Sequence, residues 1–185
     1  MRIVGGRWRG RRLCAPKTDA IRPTTDRARE TLFNILAHDP DVTLEGARVL
    51  DLFAGTGALG FEALSRGAAS CTFIERDDAA RRLVTATAEA LVADGVRILK
   101  RDATKLGECA ALGLGPHDLV LLDPPYRQAL GERALRSACE GGWIAPGARI
   151  VWEEAAASEA QWPDGFRGTD ERRVGYTVFR FGVSS

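Results

Sequence analysis

From residue 48 onward the chain alternates short apolar runs with amphipathic stretches, and this alternation limits the fold more than any other feature. Strands are predicted at Arg48–Phe53, Ser70–Glu75, Val96–Arg101, Asp118–Leu122 and Arg149–Glu153. Helices are predicted between them, near Leu59–Arg66, Asp78–Ala93, Thr104–Leu112 and Gln128–Glu140. Strand, helix, strand in succession means right-handed crossovers and a mostly parallel sheet with helices on both faces. The end of the chain breaks the rhythm. Phe166–Arg173 and Tyr176–Phe181, separated by Val174-Gly175, read as an antiparallel hairpin that closes the sheet. Ahead of the alternation, Arg22-Pro23-Thr24-Thr25-Asp26 reads as a helix start. That helix runs to His38 and is stopped by Asp39-Pro40-Asp41.

A chain of 185 residues with 45% hydrophobic and 28% charged content fits one soluble domain. No run approaches the roughly 18 apolar residues of a membrane span, and the start of the chain reads as no signal peptide. Cys14, Cys71, Cys109 and Cys139 lie far apart without CxxC spacing, so the expectation is a reduced, cytoplasmic protein without a metal site. Charge is unevenly spread. Residues 1–29 hold nine Arg or Lys and two Asp, a net +7; with +1 for the whole chain, the remainder carries −6. A basic arm with Trp8 among Arg7, Arg9 and Arg11 suits a nucleic acid, guanidinium groups for phosphates and a ring for bases. The competing reading is a solvated basic loop.

Asp123-Pro124-Pro125-Tyr126 follows the apolar run Leu119–Leu122 and so falls at a strand's carboxyl end, where open α/β sheets keep their chemistry. An acid comes first, then two residues that cannot donate a backbone hydrogen bond, then an aromatic ring. The Asp123 carboxylate and the Pro124 carbonyl can accept both hydrogens of a planar NH2 while Tyr126 stacks on its ring. The tetrapeptide predicts chemistry on an amino group of an aromatic base.

At the end of the first strand, Asp51-Leu52-Phe53-Ala54-Gly55-Thr56-Gly57-Ala58-Leu59-Gly60 satisfies G-x-G-x-x-G, with Glu75 ending the next strand. That pattern alone admits a nicotinamide dinucleotide. Asp51 weighs against it, since a carboxylate there repels a pyrophosphate and pairs with a ligand ammonium group. S-adenosylmethionine fits better. Its amino group goes to Asp51 and its carboxylate to the turn Phe53–Gly57 and the following helix start. Its ribose goes to Glu75 beside Arg76, and its adenine to Asp102 and Ala103.

These residues resemble the class I S-adenosylmethionine-dependent methyltransferases that modify exocyclic amines. The segments Arg2–Arg11 and Arg22–Asn34 narrow the resemblance to the RsmD family, and it runs over nearly the whole chain. It implies a Rossmann-like, seven-stranded sheet in order 3-2-1-4-5-7-6 with strand 7 antiparallel. It also implies one domain over 1–185, in which a basic N-terminal RNA-binding arm (1–25) precedes a catalytic core (26–185). The implied activity is methylation of the N2 amine of a guanine in 16S ribosomal RNA. The substrate is then the small ribosomal subunit or a late precursor; the oligomeric state is left open by the sequence, with a monomer as the default. Asp123, Pro124, Pro125 and Tyr126 carry the chemistry, while Arg7, Trp8, Arg9, Arg11, Arg22 and Thr24 hold the RNA. The helix after Glu75 departs from the family in carrying Thr85-Ala86-Thr87-Ala88 where an asparagine is expected. The proline motif is shared with adenine and protein-glutamine methyltransferases, and a non-catalytic RNA-binding assembly factor is a further alternative. His38 and His117 read as helix-end and loop residues, and Trp143, Trp152 and Trp162 as packing.

Overall fold

The computed structural model describes residues 1–15, 25–125, 129–156 and 160–185. Arg22, Thr24 and Tyr126 from the expected site, Gln128 from an expected helix end, and residues 157–159 lie outside the described residues. Seven strands, β1 Arg48–Leu52, β2 Ser70–Ile74, β3 Val96–Leu99, β4 His117–Leu122, β5 Ile144–Ala155, β6 Phe166–Val174 and β7 Thr177–Ser184, form one sheet in the order β3-β2-β1-β4-β5-β7-β6. The first five run parallel, and β7 pairs antiparallel with both β5 and β6. The expected topology is the observed one.

Period-two alternation divides the sheet between two apolar layers. Val49, Leu119, Leu121, Val151, Phe179 and Phe181 face α1 (Asp26–His38), α2 (Ala58–Ser65) and α3 (Asp78–Leu91). Leu50, Leu52, Val120, Leu122, Ile150 and Trp152 face α4 (Leu130–Glu140). Trp143 and Trp152 are fully buried in the second layer, and Trp162 packs edge-on against Trp152. Caps begin the first and third helices. Thr25 accepts from the Ala28 N–H, and Asp77 accepts from the Ala80 N–H.

Three local expectations are corrected. Residues 104–112 contain only a short 3₁₀ turn at Ala110–Leu112. Asp102 accepts the Thr104 N–H and hydroxyl, Ser137 accepts the Leu106 N–H, and the Gly107 carbonyl accepts the Trp143 ring N–H. These partners occupy groups that a helix needs. Strand β5 is longer than expected because β7 continues the ladder out to Ala155, opposite Thr177. His117 is no loop residue. It opens β4, buried, with its two ring nitrogens 2.9 Å from the Trp143 carbonyl and 3.0 Å from the Thr72 hydroxyl. Burial lowers its pKa.

The described part of the basic N-terminal segment is docked onto the helices. Residues 2–12 fold back on themselves, with Arg2 bridged to Arg12 and the Ile3 N–H donating to the Arg11 carbonyl. Ile3 and Leu13 are buried in the helix-side layer. Fully buried Glu62 on α2 accepts the Val4 N–H at 2.9 Å and the Arg66 guanidinium at 2.8 Å, and pairs with buried Arg29 of α1 at 3.5 Å. Ser65 on the same helix accepts the Trp8 N–H and donates to the Gly5 carbonyl. Removing one member of a buried charge network leaves the others unpaired, at a cost of about 3–5 kcal/mol. Glu62→Ala is therefore expected to lower the unfolding free energy by about that amount in denaturant titrations. A loss below about 1 kcal/mol would contradict the clamp.

Candidate active site

The turn after β1 owes its shape to glycine and to one strained residue. Gly55 and Gly57 take φ of 55° and 76°, and Phe53 enters the same left-handed region at 62°. For a ring-bearing residue that backbone costs free energy, as strained positions at functional turns often do. Gly60 serves packing instead. A Cβ there would sit 2.4 Å from the Phe73 ring and 2.6 Å from the Cys71 sulfur, so its absence lets α2 lie close on β2.

The acids expected at the site stand at the carboxyl ends of adjacent strands. Asp51 on β1 is 2% exposed, and one of its oxygens accepts the Gly60 N–H at 3.0 Å. Burial, with help from the Glu75 charge and against the Gly60 hydrogen bond, pushes its pKa up to about 7. Glu75, just past β2, accepts the Gly55 N–H at 2.9 Å on one oxygen and the Asp77 N–H at 2.8 Å on the other. It thus braces the glycine turn against the second strand. Asp102 follows β3, and its hydrogen bonds with Thr104 lower its pKa. Ala103 beside it is buried, and Arg76 is exposed.

Asp123 begins where β4 ends, its N–H 3.5 Å from the Leu52 carbonyl of β1. Strands β1 and β4 are neighbours, so the glycine turn and the proline motif open on one crevice. Burial holds the Asp123 carboxyl well above the ordinary carboxylate range, with the charges of Glu153, Asp51 and Glu154 adding to the effect. Pro124 is buried and Pro125 exposed. Glu153 and Glu154 were not among the expected site residues. The available signal was positional: they close the apolar run Ile150-Val151-Trp152 on a fifth parallel strand, as Asp51 and Asp123 close theirs.

Arg7, Arg9 and Arg11 are exposed, on the docked N-terminal segment. The Arg7 guanidinium lies 4.1 Å from the centre of the half-buried Trp8 ring, and Arg11 donates to the Ala90 carbonyl at 2.7 Å. Met1 reaches the glycine turn, its sulfur 3.6 Å from the Thr56 hydroxyl. The basic segment therefore begins beside the glycine turn.

The sequence matches, over residues 1–183, the family described as conserved hypothetical protein 95. It is 44% identical over 153 residues to ribosomal RNA small subunit methyltransferase D of Escherichia coli, covering 83% of this chain and 74% of that one. The protein of the same name in Haemophilus influenzae is 34% identical over 181 residues, covering 97% and 92%. Among solved structures, yhhF of Escherichia coli superposes with a TM-score of 0.83 at 36% identity, over 100% of this chain and 97% of that one.

Asp51 supplies a test of the site's electrostatics. Its folded pKa, about 7, lies above an unfolded value near 3.9, so the fold holds the proton more tightly. Its stabilisation is full below the unfolded pKa and is lost as pH rises toward the folded one. Wild type is expected to lose about 2 kcal/mol relative to Asp51→Asn between pH 5 and pH 7 in denaturant titrations at each pH. A difference independent of pH would place Asp51 in a wetter environment.

Proposed function

The chain belongs to that family, the RsmD family of small-subunit ribosomal RNA methyltransferases, and on this premise we propose that it methylates the N2 amine of a guanine in 16S ribosomal RNA from S-adenosylmethionine. The observation that carries the reading is the shared crevice. A glycine turn built for a donor lies on β1, and an Asp-Pro-Pro motif built for a planar amine lies on the adjacent β4.

The donor set fits S-adenosylmethionine. Asp51 keeps one oxygen outside its Gly60 hydrogen bond, available to an ammonium group. The turn Phe53, Ala54, Gly55, Thr56 and Gly57 leads into the amino end of α2, which favours a carboxylate. Glu75, held by two backbone N–H groups, would take the ribose hydroxyls, and Asp102 and Ala103 would take the adenine. When bound, the cofactor supplies an electrophilic methyl group on a sulfonium.

The guanine N2 lone pair is delocalised into the ring, so the protein must both localise it and aim it. The Asp123 carboxylate and the Pro124 carbonyl accept the two N–H hydrogens, which turns the lone pair toward the methyl carbon. Positioning of this kind accounts for most of the rate. With the methyl group transferred from the sulfonium to N2, the proton released from the alkylated nitrogen would pass to Asp123 or to water. A carboxylate whose pKa is raised by burial is the better acceptor for it. Tyr126 stacks on the base, which is splayed out of its RNA context to enter.

Arg7, Arg9 and Arg11 hold RNA phosphates, with Trp8 supporting Arg7; Arg22 and Thr24 also serve the RNA. In this reading residues 1–25 serve RNA and 26–185 carry the chemistry within one domain. The protein works as a monomer in the cytoplasm on the small subunit or its late precursor.

Labelled methyl transfer to undermodified small subunits, followed by nuclease digestion, is expected to yield N2-methylguanosine. N6-methyladenosine, or no label in RNA, would overturn the assignment. Asp123→Ala is expected to lose at least about 100-fold in kcat with donor affinity nearly unchanged, and wild-type turnover in that variant rejects its role. Replacing Arg7, Arg9 and Arg11 by alanine together should raise KM for the subunit and reduce the salt slope by up to about three, leaving donor binding intact. Unaltered RNA affinity would make the segment a bystander.

A further inference from the structure

The proline motif explains how an amine is held but not which purine carries it, since adenine N6 presents the same two hydrogens. The purines differ one atom further along the edge. Guanine places an N1–H donor beside its amine, whereas adenine places an N1 lone pair beside its own. A residue that reads this atom must stand next to Asp123 and accept without donating.

Glu153 stands there. The β4–β5 register pairs Leu121 with Val151 and Leu122 with Trp152, so Asp123 and Glu153 are the next pair along. Neighbouring strands lie about 4.8 Å apart, within which two carboxylates can converge on adjacent donors of one planar ring. Val151 belongs to the helix-side layer with Leu121, and alternation returns Glu153 to that same face. Glu154 takes the opposite face, where it accepts the Trp152 ring N–H at 3.0 Å. Glu153 is 2% exposed, and after burial itself its charge contributes most to raising the Asp123 pKa.

Side by side, two carboxylates present adjacent acceptors. The Watson–Crick edge of guanine brings adjacent donors, N1–H and N2–H. Resting on the methyltransferase reading above, we infer that Glu153 is the specificity-determining residue, accepting the guanine N1–H and repelling the N1 lone pair of adenine. A site built around a hydrogen bond rejects the analogue lacking the donor far more strongly than an apolar pocket rejects a change of shape.

The test uses 2-aminopurine, which keeps the 2-amino group but carries an N1 lone pair. Small subunits are reconstituted on 16S ribosomal RNA bearing guanine or 2-aminopurine at the nucleotide found by labelling, and methyl transfer to each is measured. Wild type is expected to prefer guanine by about 100-fold or more in kcat/KM. Glu153→Gln, whose amide can donate to a lone pair, is expected to shrink that preference at least about tenfold, with S-adenosylhomocysteine affinity unchanged as a check on folding. A wild-type preference near one, or the same preference in both proteins, overturns the inference. Should the variant fail to fold, Glu153→Asp, which draws the acceptor back by one methylene, is expected to shrink the preference in the same direction, and an unchanged preference overturns the inference. Absence of transfer by wild type to guanine-bearing subunits instead overturns the function on which the inference rests.

Discussion

The hydrogen bond from the Gly60 N–H to Asp51 ties the first strand to the first crossover helix, and the site depends on that tie. It requires Gly60 to lack a side chain, because α2 must sit against Cys71 and Phe73 of β2. It requires Gly57 and Gly55 to turn left-handed so that the chain can leave β1 and enter α2 within a few residues. It also places a carboxylate where water is excluded, which raises the Asp51 pKa. Glu75 completes the brace from β2 by holding the Gly55 N–H. The glycine turn is thus fixed from two strands before any ligand arrives, the preorganisation that transfer by positioning demands.

A second consequence of that placement is energetic. Asp51, Asp123, Glu153 and Glu154 gather near one end of three adjacent strands, and burial works against the ionisation of Asp51 and Asp123. A sheet selected for stability alone would carry apolar residues there. The stability given up is balanced elsewhere, by the two apolar layers and by the Glu62 network that joins α1, α2 and the N-terminal segment. The network also joins the two regions. The helix that follows the glycine turn anchors, through Glu62 and Ser65, the segment bearing Arg7, Arg9 and Arg11.

Much of this was legible in the chain, for identifiable reasons. Each parallel strand is a short apolar run followed by an acid or a glycine turn, and the helices carry a 3.6-residue apolar period, so type and order could be read directly. Asp51, Glu75, Asp102 and Asp123 announced themselves as strand-end acids. Residues 104–112 misled because their helix-forming composition is overridden by tertiary partners of the backbone at Leu106 and Gly107. His117 misled because its neighbours Gly115 and Pro116 look like a turn, while its hydrogen bonds to Thr72 and Trp143 come from distant residues. The docking of residues 1–15 was illegible for the same reason. Its anchors, Ile3 and Leu13, are two apolar positions among arginines, and Glu62, which accepts the Val4 N–H, lies 58 residues further on. Glu153 was legible only as the last residue of a predicted strand, which pairing with β7 carries on to Ala155.

The central claim is that one crevice between β1 and β4 holds a methyl donor against the amine of a purine presented to Asp123. A crystal structure with S-adenosylhomocysteine and guanosine monophosphate tests it most directly. The account predicts the cofactor's amino group on Asp51 and its ribose on Glu75. It places the purine 2-amino group within hydrogen-bond distance of the Asp123 carboxylate and the Pro124 carbonyl, facing the sulfur. A cofactor bound elsewhere, or a purine whose 2-amino group points away from Asp123, would contradict it.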